Sequence, residues 1–212
     1  MRLAKAVSES MHSLIKEIRA LAQSALHYTK DPYDRQRFER LIDISSELFT
    51  ELSDSDLASV ERFFIPEVGY ATPKVDLRAC VFRDEKVMLV RERSDGLWAL
   101  PGGFADQNES PIEGITREVK EESGFDIVVD ALYAIKDRDR NPYQPKYPVS
   151  IYKMFFTGSV VGGGPETNIE VSEIDFFSVD SLPPLSEARV LPQDIRDGCK
   201  FMKEGGRGCH CD

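Results

Sequence analysis

The sequence predicts an α+β fold in which a small helical domain precedes a mixed sheet, and three observations predict it. Apolar residues recur at three- and four-residue spacing through residues 11–48, the period of a helix face. From residue 75 onward they alternate with polar ones, the period of a half-buried strand. One segment, 110–123, breaks that alternation with a full set of helix start and stop signals.

The first helix is predicted from the stripe Met11, Leu14, Ile15, Ile18, Leu21, Ala22 and Ala25. Asp31-Pro32 announces the second, because proline at the first helical position gives up only an N–H that has no helical partner. Its stripe is Phe38, Leu41, Ile42, Ser45 and Leu48, and Ser53 with Asp56 predicts a third helix ending near Phe63 and Phe64. Helices this short are marginal alone in water, so they are expected to pack as a domain over residues 1–66. Proline and glycine punctuate 66–73, the expected linker. Val75, Leu77, Ala79 and Val81 then alternate, and 83–86 turns the chain into a second strand, giving an expected hairpin. Further strands are expected near 126–137, 148–160 and 174–179, with a helix at 192–203. The sheet domain is assigned to 70–205, and 206–212 to a flexible tail.

Composition narrows the function. The net charge is −10, from 27 Lys+Arg against 37 Asp+Glu, and such a chain lacks the basic footprint of a duplex DNA binder. A polyanionic small molecule remains a possible ligand if metal ions mediate the contact. No apolar run reaches membrane-spanning length, and residues 1–20 carry scattered charges rather than an apolar leader. Cys80, Cys199, Cys209 and Cys211 are therefore read as reduced thiols of a cytoplasmic protein, Cys80 in the core and the Cys209-His210-Cys211 cluster incidental.

The chemistry concentrates in residues 98–126, WALPGGFADQNESPIEGITREVKEESGFD. Ser110 is the predicted N-cap, Pro111 the first helical residue, Glu113 the partner in a capping box and Gly124 the left-handed terminator. Glu118, Glu121 and Glu122 stand at i, i+3 and i+4, so their carboxylates share one helix face with no basic residue expected among them. Like charges so placed repel, unless a hard divalent cation, whose preferred ligands are carboxylate oxygens, reverses the sign. Ile112, Ile115 and Val119 are expected to anchor the helix on the sheet, and Gly114 to leave room for an anion beside the metals. Gly102 and Gly103 would let a main-chain carbonyl approach a metal. Glu109 and Arg117 are expected to pair and tie loop to helix.

The run from Gly103 to Phe125 resembles the Nudix box, G-x5-E-x7-R-E-U-x-E-E-x-G-U, at every constrained position: Gly103, Glu109, Arg117, Glu118, Val119, Glu121, Glu122, Gly124 and Phe125. The resemblance implies an α/β/α sandwich that hydrolyses a nucleoside diphosphate linked to another moiety, releasing a nucleoside monophosphate and X-phosphate. It implies Mg2+, with Mn2+ able to substitute, held by Glu118, Glu121 and Glu122, one of which acts as base. The carbonyl of Gly102 is implied as a further ligand, and Glu109 with Arg117 as a structural ion pair. The first 66 residues, with RERSDGLWALPGG and SVDSLPPLSEAR, resemble the bacterial subgroup that includes CDP-choline and ADP-ribose pyrophosphatases. Those two substrate types are expected in that order.

Outside the box, Glu170 and Glu173 are expected in a loop before the predicted strand Ile174–Ser178. The family often adds a ligand or base from a distal loop, so either could do so, with Glu173 put forward as the metal ligand and a plain surface carboxylate as the alternative. Arg91 and Arg93 share one strand face and are candidate phosphate contacts, the alternative being a solvent-facing pair. In the basic and aromatic segment 137–148, Arg138 and Arg140 are candidates to hold phosphate and Tyr143 or Tyr147 to stack on a base, the alternative being an ordinary hairpin loop. A nucleotide-sensing module without turnover is weakened by the intact glutamates. An RNA 5′-end hydrolase is weakened by residues 1–50, whose eight Lys+Arg against seven Asp+Glu offer little net basic surface. The apolar stripes of the helical domain predict a homodimer.

Overall fold

The computed structural model describes residues 2–52 and 69–212. The third predicted helix and the start of the linker lie outside the described residues. The chain forms two compact units, one of Met1–Pro73 with Pro145–Ser150, the other of Lys74–Gln144 with Ile151–Asp212. Residues 145–150, part of the sheet domain by sequence, thus belong to the helical unit.

In that unit, α1 (Arg2–Tyr28) packs on α2 (Pro32–Leu52). Asp31 caps α2, its carboxylate accepting from the N–H of Tyr33 at 2.8 Å and of Asp34 at 3.0 Å. Ile15, Ala22 and Phe49 are buried, with the His12 ring edge-on to Phe49 at 5.1 Å. Met11, Leu14, Ile18 and Leu21 of the same predicted stripe stay exposed.

The second unit is a mixed seven-stranded sheet between two helices. Its strands are β1 (Lys74–Arg83), β2 (Lys86–Glu92), β3 (Trp98–Ala99), β4 (Phe125–Asp137), β5 (Ile151–Gly163), β6 (Val171–Ser178) and β7 (His210–Cys211). The helices are α3 (Pro111–Ser123) and α4 (Pro192–Lys203). The period-two pattern explains the layering. Leu77, Ala79 and Val81 of β1 and Met88 of β2 pack with Ile115 and Val119 of α3. Cys80, Val87 and Leu89, the intervening residues, pack with Tyr133, Phe155 and Ile195 of α4. Cys80 is a core residue, fully buried against the Tyr133 hydroxyl at 3.3 Å.

The predicted hairpin forms, but only at its tip. Asp84 and Glu85 adopt positive φ of 51° and 60° at the turn, and the β1–β2 ladder is Phe82↔Val87 and Arg83↔Lys86. The long ladder of β1 is parallel and non-local, from Lys74↔Ile151 to Phe82↔Ser159 of β5. Where β1 leaves β2, the segment 101–105 takes its place: Leu77 and Ala79 donate to Gly103 and Pro101 carbonyls at 2.8 and 3.0 Å. That divergence brings the glycine loop against β1. The tail expected to be flexible instead ends as β7, parallel to β4 at Ala134↔His210 and Ile135↔Cys211. The Asp212 carboxylate fastens it by accepting from the Asp137 N–H and the Asn141 amide at 2.7 and 2.8 Å.

Candidate active site

Local signals fix α3. Ser110 and Glu113 form the reciprocal capping box at 3.2 and 2.8 Å, Pro111 opens the helix, and Gly124 closes it at φ 75°. Ile115 and Val119 point into the core, whereas Ile112, expected as a third anchor, is 57% exposed. Gly114 does not make room for an anion. A Cβ there would lie 2.6 Å from Glu109 Oε1 and 2.8 Å from Leu77 Cδ1, so this glycine lets helix, loop and strand pack closely.

The glutamates separate along the helix face. Glu122 is 5% exposed and accepts the Gly102 N–H at 2.8 Å. Burial pushes its carboxyl up to about 8, against the opposing pull of the Arg78 guanidinium. Glu118 is half-buried, also raised by burial, and Gly103 faces it so closely that a Cβ would stand 3.0 Å from its Oε1. Glu121 lies outward and exposed. A basic residue does stand among them: Arg117 Nη1 donates to Glu118 and Glu121, each at 3.0 Å. Its Nε and Nη2 hold both oxygens of Glu109 at 3.0 and 2.9 Å, a bidentate pair joining loop to helix. Among the described residues no three His, Cys, Asp or Glu side chains form a ready-made metal cluster.

Glu118, Glu122, Gly102 and Gly103 line a cavity of about 640 Å³. Glu92 and Glu170 add two carboxylates to its wall, and Arg78, Arg93 and Arg189 add three cations. Glu92 is buried, its carboxyl raised by burial, and pairs with Arg189 at 3.1 Å. Arg189 also reaches Asp95 at 2.9 Å and Ser94 at 3.1 Å, pinning the segment after β2 to the one before α4. The donor set is all oxygen and largely anionic, which fits a hard cation such as magnesium or manganese and not a soft one. The close fit of Gly103 on Glu118 shows a cradle that any side chain would fill.

Other candidates from the sequence lie elsewhere. Glu173 and Arg91 satisfy each other at 2.7 Å across the β6–β2 ladder, and neither lines the cavity; Glu170 does. Tyr143 is fully buried and donates to Asp194 at 2.8 Å, so it cannot stack on a base. Arg138 is 1% exposed, beside the Tyr143 ring at 5.7 Å, which removes it from phosphate-binding reach. Arg140 is 73% exposed in side-chain terms, 3.7 Å from Asp137, and outside the cavity lining. Arg78, Glu92 and Arg189 were missed. Each had a faint signal: a charge inside the apolar run of β1, the Glu between Arg91 and Arg93, and the Arg ending SVDSLPPLSEAR.

The family model for the NUDIX domain matches residues 73–195, and one described as a UDP-X-like, N-terminal oligomerisation domain matches residues 10–64. The chain is 42% identical over 188 residues to "Putative ADP-ribose pyrophosphatase YjhB" of Bacillus subtilis (strain 168), covering 89% of this chain and 90% of that one. A crystal structure of a UDP-X diphosphatase superposes with a TM-score of 0.62 at 35% identity, covering 97% of this chain and 99% of the other. A crystal structure of an ADP-ribose pyrophosphatase from Streptococcus suis 89-1591 gives 0.61 at 34% identity, over 66% of this chain and all (100%) of that one. The chain belongs to the Nudix family: it is a Nudix pyrophosphohydrolase of the subgroup that carries an N-terminal oligomerisation domain.

Proposed function

We propose that the protein is a Mg2+-dependent hydrolase, with Mn2+ able to substitute, that splits the diphosphate of an ADP-ribose-like substrate into a nucleoside monophosphate and a sugar phosphate. The observation that carries this reading is the convergence of Glu118 and Glu122 with the Gly102–Gly103 backbone on one cavity. Glu118 and Glu122 would hold the cation, with the Gly102 carbonyl beside them and Glu121 recruited from the exposed end of the face. When bound, the cation supplies a water of lowered pKa and offsets charge on the diphosphate. Arg93 and Arg189 border the same space and place positive charge where a diphosphate enters. A glutamate of the cavity takes the proton from the attacking water; Glu92 and Glu170 stand there where Glu173 does not.

ADP-ribose takes precedence over CDP-choline because two similar proteins carry that name, while CDP-choline rests on sequence resemblance alone. The match to an oligomerisation domain and the exposed Leu14, Ile18 and Leu21 support a homodimer through the helical unit. No described helix is long and apolar enough to cross a membrane, and all four cysteines are free thiols, which supports a cytoplasmic enzyme. The test is a panel of ADP-ribose, UDP-sugars and CDP-choline with magnesium or manganese, products identified by mass. Release of AMP and ribose phosphate at the highest kcat/KM is expected. Turnover of CDP-choline alone would overturn the substrate assignment.

A further inference from the structure

Beneath the glycine loop lies a chain of buried charges that the box does not include. Arg78, on β1, has a side chain only 7% exposed. Its Nε donates to both oxygens of Asp76 at 3.2 Å, and its Nη2 to Oδ1 at 2.9 Å. The third nitrogen, Nη1, donates to the Leu100 carbonyl at 3.1 Å. Lys153 of β5 contacts the same Asp76 carboxylate. Leu100 is separated only by Pro101 from Gly102, whose N–H meets Glu122. Gly102 leaves no slack on its other side: at φ 138°, a Cβ would fall 2.0 Å from the Leu77 carbonyl oxygen.

We propose that Arg78 is a positioning residue, tying the Leu100 carbonyl to Asp76 so that the Gly102 N–H stays on Glu122. The inference rests on the reading of Glu122 as part of the reactive site. Burying three charged side chains is expensive, and apolar residues of similar size often serve stability as well or better. Here the charges lie where β1 leaves β2 and the loop meets β1 through a few backbone hydrogen bonds, Leu77 to Gly103 and Ala79 to Pro101, that leave the Gly102 N–H to Glu122. A guanidinium suits this because its planar fork can serve two acceptors at fixed separation. A lysine keeps the charge but, as a point donor, cannot hold the Asp76 carboxylate and Leu100 in the same way.

The test uses the full chain with Arg78→Lys and Asp76→Asn, reading amide hydrogen exchange at Gly102 without metal, then kcat and KM with magnesium. In Arg78→Lys, Gly102 should exchange about tenfold faster or more while Val81 and Leu89 amides keep their protection, because the opening is local. With substrate, kcat should fall by about tenfold or more and KM should stay within about threefold, as expected for lost transition-state alignment. Asp76→Asn should move both readouts the same way by less, and it decides the matter if Arg78→Lys does not fold. Unchanged Gly102 exchange would overturn the proposal. So would a raised KM at constant kcat, which would make Arg78 a direct substrate contact. A wild type inactive on the whole panel would refute the proposed function, while the exchange result would still judge the role of Arg78 in the loop.

Discussion

Helix α3 and the segment 137–144 are both rich in charge, and both are candidates by sequence to meet the substrate, yet only the first lines the cavity. On α3 the polar face turns to a cavity, and Glu118 and Glu122 line it. In 137–144, Arg138 and Tyr143 turn inward, to 1% and 0% exposure, and Arg138–Arg140 form a short 3-10 turn. Spacing along a helix fixes direction, because residues three and four apart must share a face. An irregular segment has no period, so its composition says what it contains and not where its side chains point.

The largest effect expected from this contrast is at Glu122. Glu122→Gln keeps the shape and can still accept from Gly102, but removes the anion. Its kcat should fall by more than about 100-fold, beyond the loss usual for a residue that only orients a ligand. Activity within a few-fold of wild type would put the chemistry elsewhere on the helix, with Glu118 or Glu121 as the residues to change next.

The same carboxyl predicts a pH dependence for the metal-free protein. Its folded value of about 8 lies above the ordinary 4.5 because burial disfavours the anion. A raised folded value means this stabilisation is complete below 4.5 and is lost as pH rises through about 8. The slope inside that window is at most ~1.4 kcal/mol per pH unit. Denaturation from pH 5 to 8, compared between wild type and Glu122→Gln, isolates the contribution from those of Glu92 and Glu118. Parallel curves for the two proteins would contradict the burial argument.

At Tyr143 the contrast reverses. Tyr143→Phe removes a buried hydroxyl from Asp194 and should cost about 1–2 kcal/mol of stability with kcat and KM unchanged. A raised KM with unaltered stability would return Tyr143 to the substrate. The smallest effect belongs to Arg140, exposed and outside the cavity. Arg140→Ala should leave stability within about 0.5 kcal/mol, and KM with it, when measured by denaturant titration and initial rates.

How much was legible in the sequence follows the same division. The limits of α3 were readable because capping and termination are local chemistry, written in Ser110, Pro111, Glu113 and Gly124. The β1–β2 turn was readable for the same reason. The parallel ladder of β1 with β5 was not, because nothing near Lys74 announces a partner at Ile151. The gap filled by the glycine loop opens on the other edge of β1, where it leaves β2, so Arg78, Glu92 and Arg189 became neighbours only in three dimensions. Arg91 and Glu173 show the converse. Each had a charge suited to a site, and their opposition across β2 and β6 spends both charges on each other. The Arg117 contacts show the reach of a long side chain: helix spacing sets it beside Glu121, four residues on, and its guanidinium also bends to the adjoining Glu118.

The cavity that Glu118 and Glu122 line is expected to work only with a divalent cation. The most direct measurement is the rate of ADP-ribose hydrolysis by the full chain before chelation, in excess EDTA, and after magnesium or manganese is restored. Activity should vanish with EDTA and return with either ion, because Glu118 and Glu122 on α3 repel a diphosphate brought against them unless a cation lies between. Full activity in excess EDTA would contradict the account.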